Sequence, residues 1–290
     1  MAFEFKNQIQ AEQFITANAG SEVMDLFIRA FVRPGDEVIL SNPCFIPYNT
    51  FSRWMGAKVI DVPLKGKHYE LDVDGILHAI TDRTRILFLT SPNNPSGTYL
   101  PKAQVDHLLE QLPKNILVIY DEVYRHFADA EDYTDALEYV KKGHPVVGLN
   151  SFSKTYGLAA LRIGYAYTTL EIAQYVRQIC KPFMIPKLNL EAAIAALGDH
   201  DFINETVNLV RTERQFLTDQ FTQLGLDFTP SQSNFFLIDP PLPEEAFVNY
   251  LYEKGVMVRP VTSFGAPGKV RISIGQRPAN EALIEALRQI

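Results

Sequence analysis

The sequence predicts an α/β protein: a three-layer, mostly parallel sheet in a large domain, followed by a smaller α+β C-terminal domain. Three observations carry this. Short apolar runs alternate with longer mixed segments from Glu37 to Tyr167, the rhythm of strand and crossover helix. The runs are rich in Val, Ile, Leu and aromatics and stop at turn or polar residues, as strands buried on both faces do. From about Glu191 the texture changes, beginning with a long charged segment of helical character.

Taken in order, the runs are 37–40, 58–62, 85–90, 115–120, 145–149 and 163–167. A helix is expected over 21–31, bounded by Gly20 before it and Pro34-Gly35 after it. Another is expected over 101–112, with Pro101 suited to a first helical position. Beyond the change of texture come a helix over 201–224, strands over 233–238, 256–261 and 269–274, and helices over 243–254 and 279–289. The reading therefore divides the chain into 1–198 and 199–290.

Composition narrows the function. The chain has 290 residues, 47% hydrophobic and 21% charged, with a net charge of −7. That supports a sizeable core and argues against a general binder of nucleic acid or anionic membrane. No apolar run approaches the roughly 18 residues of a membrane span. The opening MAFEFKNQIQ lacks a basic stretch followed by an apolar one, so no secretory leader is expected. The two cysteines, Cys44 and Cys180, make no disulfide framework and suit a reducing, cytoplasmic compartment. The six histidines never fall at HxH or HxxxH spacing, so no metal is expected. Neither GxGxxG nor GxxxxGK occurs among the 16 glycines.

In an open α/β sheet, ligands sit beyond the carboxyl ends of the strands. After 85–90 comes SPNNPSGT, after 115–120 comes DEVY, and after 145–149 comes NSFSKTYGLAALRIGY. Three consecutive strand ends thus bring together Asn94, Asp121, Tyr124, Ser151, Ser153, Lys154 and Arg162.

With these stretches the chain resembles the fold-type I pyridoxal-phosphate (PLP) aminotransferases of class I/II, and within them the histidinol-phosphate aminotransferase branch. AGSEVMDLFIRAFVRPGDEVI, PNNPSGT, YDEVY, SFSKTYGLAALRIGY and GVMVRP…VRISIG carry the resemblance, in the family's order over nearly the whole chain. It implies PLP as cofactor, ping-pong transfer through a Schiff base on Lys154, a small-molecule amino donor, a 2-oxo acid acceptor and a homodimer. Histidinol phosphate with glutamate/2-oxoglutarate is the favoured pair. The alternatives are an aromatic amino-acid aminotransferase, a PLP lyase of the threonine-phosphate decarboxylase type, and a weakly catalytic PLP-binding chain. Ala160 and Ser96 stand where relatives often carry glycine and threonine. Relatives also carry, ahead of the stretch matching 11–21, an arm and a tyrosine that reach the partner subunit, and this sequence is expected to lack both.

The residue types suit that chemistry. Lys154 offers an amine between two hydroxyl residues, after a buried strand and before Arg162. A carboxylate beside a pyridine nitrogen favours its protonated form, and Asp121 is placed for it. Glu122 points the other way by strand alternation and reads as structural. The resemblance gives Asn94 and Tyr124 to the ring oxygen; alone, Asn94 reads as a turn residue. Gly20-Ser21 opens a helix, an anion site that Ser151, Ser153 and Arg162 would complete; Ser21 reads equally as an N-cap. Phe45 matches the family's ring-stacking aromatic, against a plain core role. Arg271, mid-strand between apolar neighbours, calls for an anionic partner, and the resemblance supplies the substrate's anionic group. Arg259 is a second substrate candidate, with a surface role as its alternative. Asn189 and Asn234 fall in plausible pocket loops without an assigned role.

Overall fold

The structure is a computed structural model that describes residues 8–290. Residues 1–7, where the segment read for a leader and the first expected domain both begin, lie outside the described part.

Seven strands form the main sheet: β1 (Phe14–Asn18), β2 (Glu37–Leu40), β3 (Lys58–Asp61), β4 (Thr84–Thr90), β5 (Leu117–Asp121), β6 (Val146–Ser151) and β7 (Ile163–Tyr167). Their order is β1-β7-β6-β5-β4-β2-β3. The strands from β2 to β6 pair in parallel, whereas β7 runs antiparallel to both β6 and β1. The helices among them are α1 (Ala19–Phe31), α2 (Pro47–Trp54), α3 (Val73–Ala79), α4 (Lys102–Gln111), α5 (Ala136–Lys141), α6 (Leu170–Arg177) and α7 (Lys187–Gly198). Side-chain alternation sends the strands' apolar residues to two cores. Leu87, Leu89, Val118 and Tyr120 join α3, α4, α5 and α7 on one face. Ile86, Phe88, Ile119 and Leu149 join α1, α2 and α6 on the other. The sheet is thus the middle of three layers.

After α8 (His200–Gln223) come β8 (Asp227–Thr229), β9 (Phe235–Asp239), α9 (Glu244–Glu253), β10 (Arg259–Pro260), β11 (Val270–Ser273) and α10 (Arg277–Leu287). These strands form an antiparallel sheet in the order β10-β11-β9-β8. Leu217, Phe221, Phe236, Ile238, Leu251 and Leu283 build a separate core behind it.

The differences from expectation are local. The strand expected over 256–261 shrinks to Arg259–Pro260, because proline cannot donate to the ladder and confines the pairing to an edge. The strand expected from 233 begins at Phe235, and β1 and β8 were not foreseen. The helix expected from Ser21 begins at Ala19, with Asn18 as its N-cap residue, so Ser21 is not the N-cap. The early start depends on Gly164. A Cβ there would lie 2.2 Å from Ala19 C and from Gly20 N, both backbone atoms. Only glycine lets β7 pass so close to the start of α1.

Candidate active site

A cavity of about 320 Å³ opens beyond the carboxyl ends of β4, β5 and β6. Thr90 ends β4 and Asp121 ends β5, and the two are register partners. Lys154 follows the end of β6. Arg271, on β11 of the smaller sheet, and Phe264, on the turn between β10 and β11, close the other side.

Asp121 is buried, with 7% of its surface exposed. Tyr48 donates its hydroxyl proton to Oδ2 at 2.7 Å, and the Val123 N–H donates to Oδ1 at 3.2 Å. Burial pushes the carboxyl above its ordinary range; these two hydrogen bonds and the Lys154 charge pull the other way. The neighbouring Glu122 faces the opposite layer. It accepts hydrogen bonds from Tyr167 Oη at 2.5 Å, Asn150 Nδ2 at 2.7 Å and the Ala136 N–H at 2.9 Å. One strand end therefore sends one acid to the cavity and the next to the framework.

The Lys154 amine lies 5.5 Å over the Tyr124 ring. Its pKa is held below the ordinary lysine range, chiefly by burial and then by the Arg271 charge, with Asp121 partly restoring it. A neutral, nucleophilic fraction of the amine is thereby favoured. The Tyr124 hydroxyl is pushed up to about 12 by burial, so it remains a hydrogen-bond donor at neutral pH.

The cavity's other end gathers donors for an anion. The Ala19 N–H donates to the Arg162 carbonyl at 2.9 Å, fixing the start of α1 beside Arg162. Both residues have left-handed backbones, at φ 67° and 51°, the kind of local strain that collects at binding sites. Gly20 and Ser21 follow in the first turn of α1, where backbone N–H groups favour negative charge. Ser151 Oγ lies 2.9 Å from Ser153 Oγ and accepts the Ser153 N–H at 3.1 Å. All of these residues line the cavity.

Arg271 Nη1 donates to Asn94 Oδ1 at 2.6 Å, which leaves Asn94 Nδ2 as that side chain's donor. The guanidinium lies 4.8 Å over the Phe235 ring and 5.7 Å over Phe264. Its Nε is buried with no hydrogen-bond partner, an incomplete set of the kind an anion completes. Arg259 lies at the surface, with its guanidinium 5.9 Å over the Phe264 ring. It sits opposite Arg271 on the edge strand β10, is exposed, and is not among the cavity's lining residues. Phe45 lines the wall, although it also packs edge-on to Tyr48 at 5.6 Å. Asn189 donates to the Leu161 carbonyl at 2.7 Å, a framework contact, and neither it nor Asn234 is among the lining residues.

Sequence reasoning missed Tyr48, Thr90 and Phe264. Tyr48 could have been noticed as a polar aromatic three residues beyond Phe45 at the start of a helix opened by Pro47. Nothing in the local pattern pointed to its partner, 73 residues away. Among the described residues, no helix is long and apolar enough to cross a membrane, and no group of three His, Cys, Asp or Glu could hold a metal ion.

The sequence family described as aminotransferase class I and II matches residues 2–287. Histidinol-phosphate aminotransferase 2 of Pasteurella multocida is 36% identical over 97% of this chain and 77% of its own length. The histidinol-phosphate aminotransferase of Moorella thermoacetica is 35% identical over 100% of this chain and 75% of its own. Among solved structures, histidinol-phosphate aminotransferase from Sinorhizobium meliloti in complex with pyridoxal-5'-phosphate superposes with a TM-score of 0.85. It is 26% identical, covering 96% of this chain and 77% of that one. With a matching family over nearly its whole length, relatives above 30% identity and the same fold, the chain belongs to the class I and II aminotransferases, PLP-dependent enzymes of fold type I.

Proposed function

We propose that this enzyme transfers an amino group between histidinol phosphate and 2-oxoglutarate with PLP held in the cavity. The observation that carries the chemistry is one cavity wall bearing an amine of depressed pKa, a buried carboxylate and a guanidinium whose Nε has no hydrogen-bond partner among the described residues. The substrate pair rests on the curated relatives, which are histidinol-phosphate aminotransferases at 33–36% identity.

The donor set fits the cofactor. Lys154 would hold it covalently, Asp121 would face its ring nitrogen, and Asn94 Nδ2 and the Tyr124 hydroxyl would donate to its ring oxygen. The first turn of α1 at Gly20 and Ser21, together with Ser151, Ser153 and Arg162, would bind its phosphate. Phe45 would cover one ring face. When bound, PLP supplies an aldehyde for the donor's amine and a ring that draws electrons from the adjoining carbon.

The chain's own residues do the rest. Lys154 Nζ removes a proton from the donor's reacting carbon and returns one on the reverse half-reaction; burial favours its neutral form for that work. The carboxylate of Asp121 holds a proton at the ring nitrogen. Arg271 orients the substrate's anionic group, and its contact with Asn94 couples substrate position to the cofactor side of the cavity. Phe264 and Phe235 keep water from the guanidinium. Arg259 is exposed on the edge strand, outside the cavity lining.

The test is a panel of amino donors added to the PLP-loaded chain, scored by single-turnover conversion of the cofactor to its amine form. Histidinol phosphate converts it fastest, and 2-oxoglutarate restores it. Faster conversion by an aromatic amino acid, or carbon dioxide release without a keto product, would replace the substrate or the reaction class. Arg271→Ala weakens the anionic substrate by roughly 2–5 kcal/mol, the loss typical of a broken buried charge pair. It leaves PLP affinity nearly unchanged. Equal loss of both would place Arg271 in the framework instead.

The same reading includes a large domain over 1–198, a small one over 199–290, a cytoplasmic location and a homodimer. Helix α7 leaves its Leu188 and Ile194 76% and 62% exposed, beside Phe183 at 98%. A second copy of the chain is the cover that this surface suits. The molar mass in solution is expected to be twice the chain's 32.8 kDa, and Ile194→Asp is expected to lower it.

A further inference from the structure

Among the described residues, Asp121 is the one carboxylate that lines the cavity, and a single side chain is hydrogen-bonded to it. Tyr48 is fully buried, with its hydroxyl 2.7 Å from Asp121 Oδ2 and 2.9 Å from Thr90 Oγ1. A carboxylate carries no proton, so Tyr48 must donate to Asp121; its oxygen is then left to accept from the Thr90 hydroxyl. The direction of both bonds is set by the charge at one end.

We infer that Tyr48 is a positioning residue whose hydroxyl, held by Thr90, keeps the Asp121 carboxylate deprotonated and aimed into the cavity, and so sets the pH range over which the site accepts a protonated ring nitrogen. This rests on the cofactor reading above and deepens it.

The geometry is over-determined. The Tyr48 ring stacks on Phe88 at 4.5 Å and 12°, and Phe45 meets it edge-on at 5.6 Å. Its carbonyl accepts the Ser52 hydroxyl at 2.6 Å, and its N–H donates to the Phe45 carbonyl at 3.1 Å. A ring clamped in this way cannot follow Asp121 if the carboxylate turns, so it defines the orientation.

The other groups facing the pair are the Val123 N–H, Lys154, Cys44 and Tyr124, whose hydroxyl is pushed up to about 12 chiefly by burial and stays neutral. The Val123 N–H, on the loop after β5, and the Lys154 charge, on the loop after β6, also favour the ionised carboxylate. Tyr48 contributes the larger opposition to the burial that raises the Asp121 pKa. The Cys44 thiol behind Tyr48 is pushed up to about 12 by burial and stays neutral. The Tyr48 hydroxyl is itself raised well above the ordinary range, so it keeps its proton wherever Asp121 titrates.

The experiment measures the affinity of pyridoxine 5'-phosphate across pH for the full chain freed of cofactor. This probe has an alcohol in place of the aldehyde and forms no bond with Lys154. Wild-type affinity falls as pH drops through the Asp121 titration, since a neutral carboxyl does not attract a pyridinium. In Tyr48→Phe that acid limb moves up by roughly one to two pH units, the shift expected from removing one hydrogen bond to a charge. Above the limb its affinity stays within about threefold of wild type, a bound set by losing no direct contact with the probe. Thr90→Val moves the limb the same way by less and serves as the test if Tyr48→Phe does not fold. Asp121→Asn lacks the Asp121 limb and shows the titration of the probe's own ring and phosphate groups, which is common to all four chains. If the wild-type chain does not bind the probe, the cofactor reading fails. If it binds but the limb stays in place in Tyr48→Phe and Thr90→Val, or affinity falls evenly at all pH, Tyr48 only shapes the wall and the inference is overturned.

Discussion

Lys154→Ala is expected to abolish turnover while leaving the fold and the cavity intact. Lys154 lies on the loop after β6, outside the sheet's hydrogen-bond ladder, and among the described residues its amine has a ring contact with Tyr124 and no ion pair. Truncation therefore removes no framework contact, and the unfolding midpoint should move little. Function loses two things at once. The covalent link to the cofactor disappears, and so does the base at the reacting carbon. Positioned proton transfer alone contributes about 10²–10⁴-fold, so the combined loss should exceed that. The direct check is borohydride reduction of the PLP-loaded native chain followed by peptide mapping. The label belongs on Lys154. A label on another lysine would remove the centre of the proposed site. The depressed amine pKa adds a pH expectation. Because burial and Arg271 disfavour the charged form, the neutral amine persists to lower pH than in an ordinary lysine. The attachment reaction should therefore keep its rate further into the acid range than the same reaction of a solvent-exposed lysine. Arg271→Ala removes one of the three causes, the others being burial and the Arg162 charge, and should shift that profile toward higher pH.

The sequence made the centre of the sheet legible and its margins much less so. β2 and β7 fall where their apolar runs lie, because EVIL and IGYAY are buried along their whole length and leave no periodicity to misread. β1 is FITAN, five residues with a mixed burial pattern, and its strand character comes from pairing with β7 far along the chain. That pairing also explains why α1 begins before Ser21. The close passage of Gly164 and the bond from Ala19 to Arg162 are tertiary facts with no local signature. The cavity was legible for a similar reason to the sheet. Asp121, Ser151 and Lys154 stand at or just beyond strand ends, where topology alone brings them together. Tyr48 was not, since α2 carries it back across the sheet to a partner on β5. Arg259 and Arg271 looked alike in sequence, yet register places Arg271 on a central strand at the cavity and Arg259 on a two-residue edge.

Asp121→Asn separates the remaining roles at this strand end. The amide keeps the size of the side chain and can still accept the Tyr48 hydroxyl through its oxygen, giving up only the bond from the Val123 N–H, so the wall should largely hold its shape. What disappears is the negative charge. The Lys154 amine, the first turn of α1, Ser151, Ser153 and Arg162 are untouched, so PLP should still attach and saturate the chain. On the proposed reading Asp121 would no longer favour a proton on the cofactor's ring nitrogen, and removal of the carbon-bound proton by Lys154 Nζ would slow. Removing one member of a desolvated charge pair costs roughly 2–5 kcal/mol, or about thirty- to several-thousand-fold in rate. The loss should fall on the single-turnover rate at saturating cofactor, with occupancy near that of the native chain. Glu122→Gln provides the internal contrast. Its carboxylate faces the opposite layer and is satisfied by Tyr167, Asn150 and the Ala136 N–H, so the change should lower the unfolding midpoint and leave the rate per folded molecule largely unchanged. If Asp121→Asn turns over within about tenfold of the native chain, or if Glu122→Gln is the variant that loses rate, then the division of labour between these adjacent acids is the reverse of the one proposed.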